Sequence, residues 1–142
     1  MNAKSAFPED HPLAPGAAGH TCTEARDTFL DRSDVIFGAG ASLSINPYSH
    51  PLPIGKRLIQ LTTDERDINR DYVVDIGLVG DAKLVLRQMI ERATRRIAER
   101  PSRGGEVTAE VAEVKNAWLE QWMPRLSSDD ERALPMPPSA ID

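Results

Sequence analysis

Three short apolar runs between residues 33 and 82 constrain the fold more than any other feature of the chain. Each is followed by glycine, threonine or acidic residues, and none alternates strictly between apolar and polar positions. Such runs are typical of strands buried on both faces of a parallel sheet, and glycines or acids at their carboxyl ends mark the edge where such sheets bind ligands. The sequence therefore predicts an α/β fold with strands at Asp34–Phe37, Arg57–Leu61 and Val73–Val79.

Size and charge limit the partners of the chain. With 142 residues, 40% of them hydrophobic, it has material for one ordinary domain. A net charge of −5 provides no basic field, so we expect no nucleic acid partner. No apolar segment is long enough to span a membrane and the N-terminus lacks a secretory signal, so we expect no membrane association. Cys22 is the only cysteine, which fits a reducing compartment and predicts a cytoplasmic protein.

Helices are predicted around the strands. Apolar residues at helical spacing from His20 to Leu30 predict a first helix, with Thr21 or Thr23 as its N-cap. Prolines at 47, 51 and 53 predict an extended loop between the first two strands in place of a crossover helix. Asp64 to Tyr72 is polar and predicts one exposed helical turn or a long loop.

Two longer helices are predicted towards the C-terminus. Asp81 is the expected N-cap of a helix from Ala82 to about Glu99, with a buried stripe at Leu84, Val85, Met89, Ile90, Ala93 and Ile97. A hinge over residues 101–105 precedes a helix from Glu106 to Pro124, whose packing face is formed by Val107, Val111, Val114, Trp118 and Trp122. Residues 127–142 are rich in Ser, Asp and Pro and are expected to be poorly ordered.

Gly38-Ala39-Gly40 after the first strand is similar to part of a dinucleotide-binding fingerprint, but Leu43 stands where the third glycine would be. A plain tight turn is the alternative. Asp64, about twenty residues further on, lies where such folds place a ribose-binding acid, or it is a solvated loop carboxylate. Asp81 suits a helix N-cap better than a ligand. No metal site is predicted, since His20 and Cys22 lack further ligands. No catalytic residue is predicted either, because no serine lies in a nucleophile elbow and no pair of carboxylates has the context of a catalytic couple.

Four segments of the chain match a known domain in their order and spacing: Lys4–Leu13, Ser33–Gly40, Leu61–Asp64 and Asp75–Lys83. Together they resemble the second half of the central domain of thiamine diphosphate-dependent enzymes, the acetolactate synthase and benzoylformate decarboxylase group. The resemblance covers Asn2 to Ile90. It implies a partial doubly wound parallel sheet, Rossmann-like and truncated, with a C-terminal helical extension.

The resemblance also implies what this chain lacks. In the family, thiamine diphosphate and magnesium lie between two outer domains, held by a Gly-Asp-Gly segment with a downstream asparagine; Gly80-Asp81-Ala82 is not that motif. The activating glutamate of the family has no counterpart. Met1 resembles an internal methionine of a longer enzyme, and Asp142 stops about where the next domain would begin. The expected division is a truncated central domain at 1–100, a hinge and helix at 101–126 and a tail at 127–142.

In family members that carry a flavin, the central domain holds FAD. The positions matched here, which form the candidate nucleotide or FAD crevice, are Gly19, Gly40, Ser42, Asp64, Gly80, Asp81 and Ala82. A serine at 42, where an arginine is usual nearby, weakens the match to FAD. We therefore expect a non-catalytic scaffold fragment or subunit that partners the catalytic domains and self-associates. A freestanding FAD- or ADP-binding module, or an interaction module using the Val107–Trp122 face, are the alternatives.

Overall fold

The computed structural model describes residues 6–16, 24–45, 47, 50–97 and 103–126. The described residues form three strands and three α-helices, with one 3-10 turn at Glu65–Asp67. The elements, in chain order, are α1 (Glu24–Arg32), β1 (Val35–Ala39), β2 (Arg57–Thr62), β3 (Ile76–Val79), α2 (Ala82–Ile97) and α3 (Gly104–Leu126).

The three strands form one parallel sheet in the order β1-β2-β3. Phe37 pairs with Ile59 across β1 and β2, and Ile59 pairs with Ile76 across β2 and β3. The β1–β2 connection contains no helix in its described part, as its three prolines predict. The α/β class and the truncated Rossmann-like sheet are thus confirmed.

The third strand begins later than the sequence predicts. Val73, Val74 and Asp75 precede β3 instead of belonging to it. The backbone amide of Asp75 donates to the Leu58 carbonyl at 2.9 Å. The Asp75 carboxylate accepts a hydrogen bond from the Leu58 amide at 2.7 Å. In a regular ladder, a backbone carbonyl of the neighbouring strand would accept this hydrogen bond. A side chain here completes the hydrogen bonding of β2, so the regular ladder starts only at Ile76.

The two faces of the sheet differ in cover. On one face Leu58, Gln60 and Thr62 of β2 are all buried. The opposite face, which we call the bare face, is apolar and covered only in part. Leu61 at its centre is fully buried, but Val35 is 46% and Ile76 51% exposed. The face is formed by Val35, Phe37, Ile59, Leu61, Ile76 and Leu78.

Helix α2, for which the sequence predicts a buried stripe, has no buried side chain. Leu84, Ile90 and Ile97 are each more than half exposed. The predicted buried stripe is therefore wrong, although its periodicity does produce a helix. In the described part of the chain, no other element makes an extensive contact with α2. Amphipathic spacing specifies a face but not the surface that covers it.

The third helix packs against the first. Ala25 of α1 and Val111 of α3 are both buried, and Arg32 and Glu110 form an ion pair between the helices. Lys115 also donates to the Glu9 carbonyl at 3.2 Å, which ties the N-terminal segment to α3. The packing face predicted for α3 is partly buried as expected, but the predicted end at Pro124 is wrong. The helix runs two residues further, to Leu126, with Pro124 inside its last turn.

Several expectations fall outside the described residues. These are the threonine N-caps of α1, Cys22, Gly19, the end of α2 beyond Ile97 and the tail 127–142. Among the helices described, none has the length and apolar character needed to cross a membrane.

Candidate functional site

The carboxyl ends of all three strands meet at one edge of the sheet and enclose a crevice of about 300 Å³. Each strand contributes its last residues and the turn that follows. Four of the predicted site residues line it together: Gly40, Ser42, Gly80 and Ala82. The parallel register brings them together, because strands of equal direction end at the same edge.

The structure requires glycine at positions 38 and 40, at the end of β1, for reasons that involve no ligand. A Cβ atom at Gly38 would lie 3.0 Å from Cδ2 of Leu43, which folds back over the strand. Gly40 adopts φ of +64°, in the left-handed region that favours glycine. Its amide donates to the Leu61 carbonyl at 2.8 Å. The Gly-x-Gly pattern is thus accounted for by a tight turn and a close side-chain approach.

Asp64 is already engaged. Its carboxylate accepts the Arg66 amide at 3.0 Å and both Nε and Nη2 of the Arg66 guanidinium. The Arg66 hydrogen bonds hold the pKa of Asp64 at about 2, below its usual 3.8. Asp64 caps the 3-10 turn and does not line the crevice. A ribose hydroxyl would have to compete with Arg66 for these oxygens.

Asp67 is the acid that does line the crevice, and sequence reasoning missed it. Its Oδ2 accepts a hydrogen bond from Thr62 Oγ1 at 3.1 Å. The 3-10 turn moves Asp67 back over the end of β2, and the Asp64 amide donates to the same threonine oxygen at 3.2 Å. Only the capping pattern Asp64-x-Arg66 signals this turn in the sequence.

Asp81 begins α2 as the sequence predicts. Its Oδ1 accepts the Leu84 amide at 3.0 Å, and its carbonyl accepts the Val85 amide at 3.0 Å. The carboxylate therefore already satisfies a free donor of the first turn, where a phosphate would otherwise bind. Negative charge at this position opposes a second anion.

Gln60 is a fully buried polar side chain behind the wall of the crevice. It lies on β2 with no exposed surface, and its Nε2 donates to the Ala41 carbonyl at 2.9 Å. Its Oε1 has no hydrogen-bond partner among the described residues. The amide ties the turn after β1 to β2 and thereby fixes one wall of the crevice.

A second polar cluster lies between α1 and the proline-rich loop. His50 Nδ1 and Asp27 Oδ2 are 2.9 Å apart, and Arg26 pairs with the same carboxylate. Burial alone would raise the pKa of Asp27, but hydrogen bonds from Arg26 and His50 lower it below the usual value. His50 therefore connects the proline-rich loop to α1 through its hydrogen bond with Asp27.

The crevice offers few side chains that could bind a metal ion or a cofactor. Within residues 6–16, 24–45, 47, 50–97 and 103–126, no three His, Cys, Asp or Glu side chains cluster in a way that could hold a metal ion. The crevice offers one carboxylate, hydroxyls and backbone groups, and no lysine or arginine lines it. Such a donor set does not fit the diphosphate of FAD or of thiamine diphosphate. The predicted site residues remain a prediction.

A family model described as thiamine pyrophosphate enzyme, central domain, matches residues 1–89. The match includes the sheet, the crevice and the first half of α2.

Curated relatives agree with this match. The chain is similar to a probable acetolactate synthase large subunit of Methanocaldococcus jannaschii, 36% identical over 61% of this chain and 15% of that protein. It is similar to a sulfoacetaldehyde acetyltransferase of Roseovarius nubinhibens, 30% identical over 82% of this chain and 20% of that protein. The acetolactate synthase isozyme 3 large subunit of Escherichia coli is 29% identical over 84% of this chain and 20% of its own length. The chain thus spans about a fifth of these relatives or less.

The longer matches also bear on α3. An alignment that covers 82% of the 142 residues must reach beyond the start of α3 at Gly104, whatever residue it begins at. Helix α3 therefore has a counterpart in at least some relatives. The predicted boundary between a central domain and a separate helix near residue 100 stays a prediction.

Proposed function

The chain belongs to the thiamine pyrophosphate enzyme central-domain family, and from this membership we propose that its role is structural. It supplies part of the central-domain sheet of a thiamine diphosphate-dependent carboligase or decarboxylase and contributes no catalytic group. The catalytic domains or subunits that complete the enzyme are its partners, and thiamine diphosphate with magnesium is bound by them. A cytoplasmic location is part of the same proposal.

The bare face of the sheet is the observation that carries this proposal. Parallel sheets are normally covered on both faces, because their strands are apolar on both. Here Val35, Phe37 and Ile76 are each more than a third exposed on one face. Both β1 and β3 are edge strands with backbone groups open to further pairing. A sheet of this kind gains stability when another body covers it.

The charged groups near the sheet support a structural role as well. Asp64 is held by Arg66, Asp67 by Thr62 and Asp81 by the start of α2. Each of these carboxylates completes a turn or a cap, and none shares a proton with a second acid or a histidine. A general acid–base pair needs two such groups within reach of a substrate.

FAD is the cofactor to test against this proposal, because flavin-carrying members of the family hold it in the central domain. The crevice of about 300 Å³ is at the small end for ligand sites, and the carboxylate of Asp67 faces it. We expect no shift of the melting temperature of the purified chain with FAD, ADP or NAD at millimolar concentration. A clear shift with any of them favours a nucleotide-binding module and contradicts the scaffold role.

The partner can be found from the coding sequences next to the gene. We propose to co-express the chain with neighbouring products that resemble the outer domains of the family and to measure co-purification and turnover of pyruvate with thiamine diphosphate and magnesium. Phe37→Asp with Ile76→Asp, both on the bare face, should abolish co-purification. Ile54→Asp is the matched control, since Ile54 is 99% exposed and lies off the sheet.

Two results would count against the structural role. Turnover of pyruvate by the purified chain alone would show that it carries catalytic groups. Neighbouring sequences with no such domains, or co-purification that survives the two aspartates, would show that the bare face does not serve a catalytic partner.

A further inference from the structure

We propose that residues 6–16, which we call the N-terminal strap, form a pH-sensitive device that loosens from α3 when the imidazole of His11 is protonated. The proposal goes beyond the structural role above, because it assigns regulation to a part of the chain outside the sheet and the crevice. It is carried by a hydrogen bond that a protonated imidazole cannot make.

His11 lies at the centre of the hydrogen bonding in the strap. Its amide donates to the Pro8 carbonyl at 3.2 Å, and its carbonyl accepts the Ala14 amide at 2.9 Å. Two successive turns therefore meet at this residue. The side chain supplies a third contact, because Nδ1 of the imidazole accepts a hydrogen bond from the Leu13 amide at 3.1 Å. His11 thus holds both turns through its backbone and the second turn through its side chain as well.

The protonation state of His11 decides whether the side-chain contact can form. An imidazole nitrogen accepts a hydrogen bond only when it carries no proton, so the neutral ring must carry its proton on Nε2. The imidazolium ion carries a proton on both nitrogens and is a donor at both. Protonation therefore places an N–H group of the ring against the N–H group of Leu13. Histidine is the side chain that normally makes this change between about pH 5 and pH 8.

The turns at His11 also position the contacts of the strap with its surroundings. Ala14, whose amide closes the second turn, is buried at 6% exposure. Lys115 of α3 donates to the Glu9 carbonyl at 3.2 Å. The rings of Phe7 and His11 meet edge to face with their centroids 4.9 Å apart. A second turn that has lost the Leu13 hydrogen bond holds Ala14 less firmly, and the strap loosens from α3.

The charged neighbours of His11 change the ease of protonation but do not replace the lost acceptor. Glu9 and Asp10 lie in the strap itself and favour the imidazolium ion, whereas Lys115 on α3 opposes it. None of these three side chains accepts the Leu13 amide in the structure. The switch therefore depends on His11.

His50 provides an internal contrast, because its contact survives protonation. Its Nδ1 lies 2.9 Å from Oδ2 of Asp27. A carboxylate can only accept a hydrogen bond, so this imidazole nitrogen donates, and it still donates when the ring is protonated. The same change of pH should therefore leave the contact between the proline-rich loop and α1 in place while it loosens the strap.

The test follows both histidines by NMR in the full purified chain between about pH 8 and pH 5. At the higher pH, the ring nitrogen shifts of His11 should show its proton on Nε2. As the ring is protonated, the Leu13 and Ala14 amides should each lose about two- to tenfold of their protection from hydrogen exchange, the change expected for one hydrogen bond. The loss should follow the same titration curve as the ring protons of His11.

Three variants distinguish a switch from a merely structural side chain. In His11→Asn, the Oδ1 atom takes the place of Nδ1, accepts the amide two residues further on and does not titrate. The Leu13 and Ala14 amides should then stay protected at both pH values. His11→Ala has no acceptor and should leave them less protected at both. His50→Ala is the matched control and should keep the pH response of the unaltered chain.

Three results would overturn the proposal. The first is protection of Leu13 and Ala14 that stays constant while His11 titrates. The second is a pH response that persists in His11→Asn, which would assign it to another group of the strap or of α3. The third is a response that disappears in His50→Ala. Circular dichroism checks that the variants fold. No catalytic partner is present, so failure here is independent of the proposed function.

Discussion

At the residue scale, the glycines after β1 show how one pattern admits two explanations. Gly38 leaves room for Leu43, and Gly40 takes a left-handed backbone conformation. The space for Leu43 and the left-handed conformation are both requirements of the turn itself. The same glycines in a dinucleotide fingerprint would admit a phosphate, but the neighbouring carboxylates of Asp67 and Asp81 oppose one. The turn requires these glycines even without a ligand.

Gly40→Ala should lower the free energy of unfolding by about 1–2 kcal/mol, the typical cost of a left-handed conformation for a residue with a Cβ atom. The new methyl group meets nothing within 4 Å, so backbone strain alone is tested. Gly105→Ala is the control, because its Cβ also meets nothing and it lies in α3. That change should be neutral or raise stability by up to about 1 kcal/mol. Urea denaturation measures both; an equal effect at the two positions would refute the argument.

The Asp64–Arg66 pair makes a titration prediction. The pKa of Asp64 is about 2 in the folded chain, below the usual 3.8. The pair therefore stabilises the fold fully above about pH 4, and this contribution declines as the pH falls towards 2. Arg66→Ala should raise the pKa of Asp64 towards its usual value, as measured by carboxyl NMR titration. Arg70→Ala removes the ion-pair partner of Asp67 and should leave the pKa of Asp64 unchanged.

At the element scale, short strands were predicted well and helix packing was not. The strands at β1 and β2 agree with the predicted runs to within two residues at each end. Strand β3 begins three residues late because the side-chain carboxylate of Asp75, and not a backbone carbonyl, accepts the hydrogen bond of the Leu58 amide. The run Val73-Val74 has strong strand propensity, but propensity says nothing about a carboxylate that satisfies the neighbouring strand.

Helix α2 should depend on its cap more than on its contacts. Asp81→Ala should cost about 1 kcal/mol of helix stability, and Asp81→Asn should retain most of the cap. Because no described element packs extensively on α2, the loss should appear locally as faster amide exchange in the first turn at Leu84 and Val85. Hydrogen exchange measured by NMR checks this. Exchange that accelerates equally in β2 would mean that α2 unfolds only with the whole chain.

At the scale of the whole molecule, most of the buried side chains lie in two places, the sheet and the contact between α1 and α3. Val111 is 3% exposed, whereas Val73 is 89% exposed. Val111→Ala should lower the free energy of unfolding by about 1–3 kcal/mol through lost burial and the cavity that remains. Val73→Ala should change it by less than about 0.5 kcal/mol. Thermal or urea unfolding distinguishes the two, and equal effects would show that α3 adds nothing to the fold.

The candidate site was only partly predictable. The sequence predicts one crevice, and the structure brings four of its residues to the same edge of the sheet: Gly40, Ser42, Gly80 and Ala82. Asp64 is predicted to lie there too, but its carboxylate binds Arg66, and Asp67 instead lies beside Thr62. A spacing of about twenty residues identifies the strand end. It cannot distinguish two acids three residues apart on a turn.

The amino-acid sequence alone determined the class, the strands and the family. These depend on local patterns: apolar runs, turn residues and motifs whose order is read along the chain. Only the tertiary structure decided which apolar surfaces are covered. Helix α2 and one face of the sheet carry the pattern of a buried surface, yet residues such as Ile90 and Ile76 are exposed. Periodicity records that a side chain is suited to burial, whereas burial itself requires a second surface, and that surface is a property of the assembled molecule.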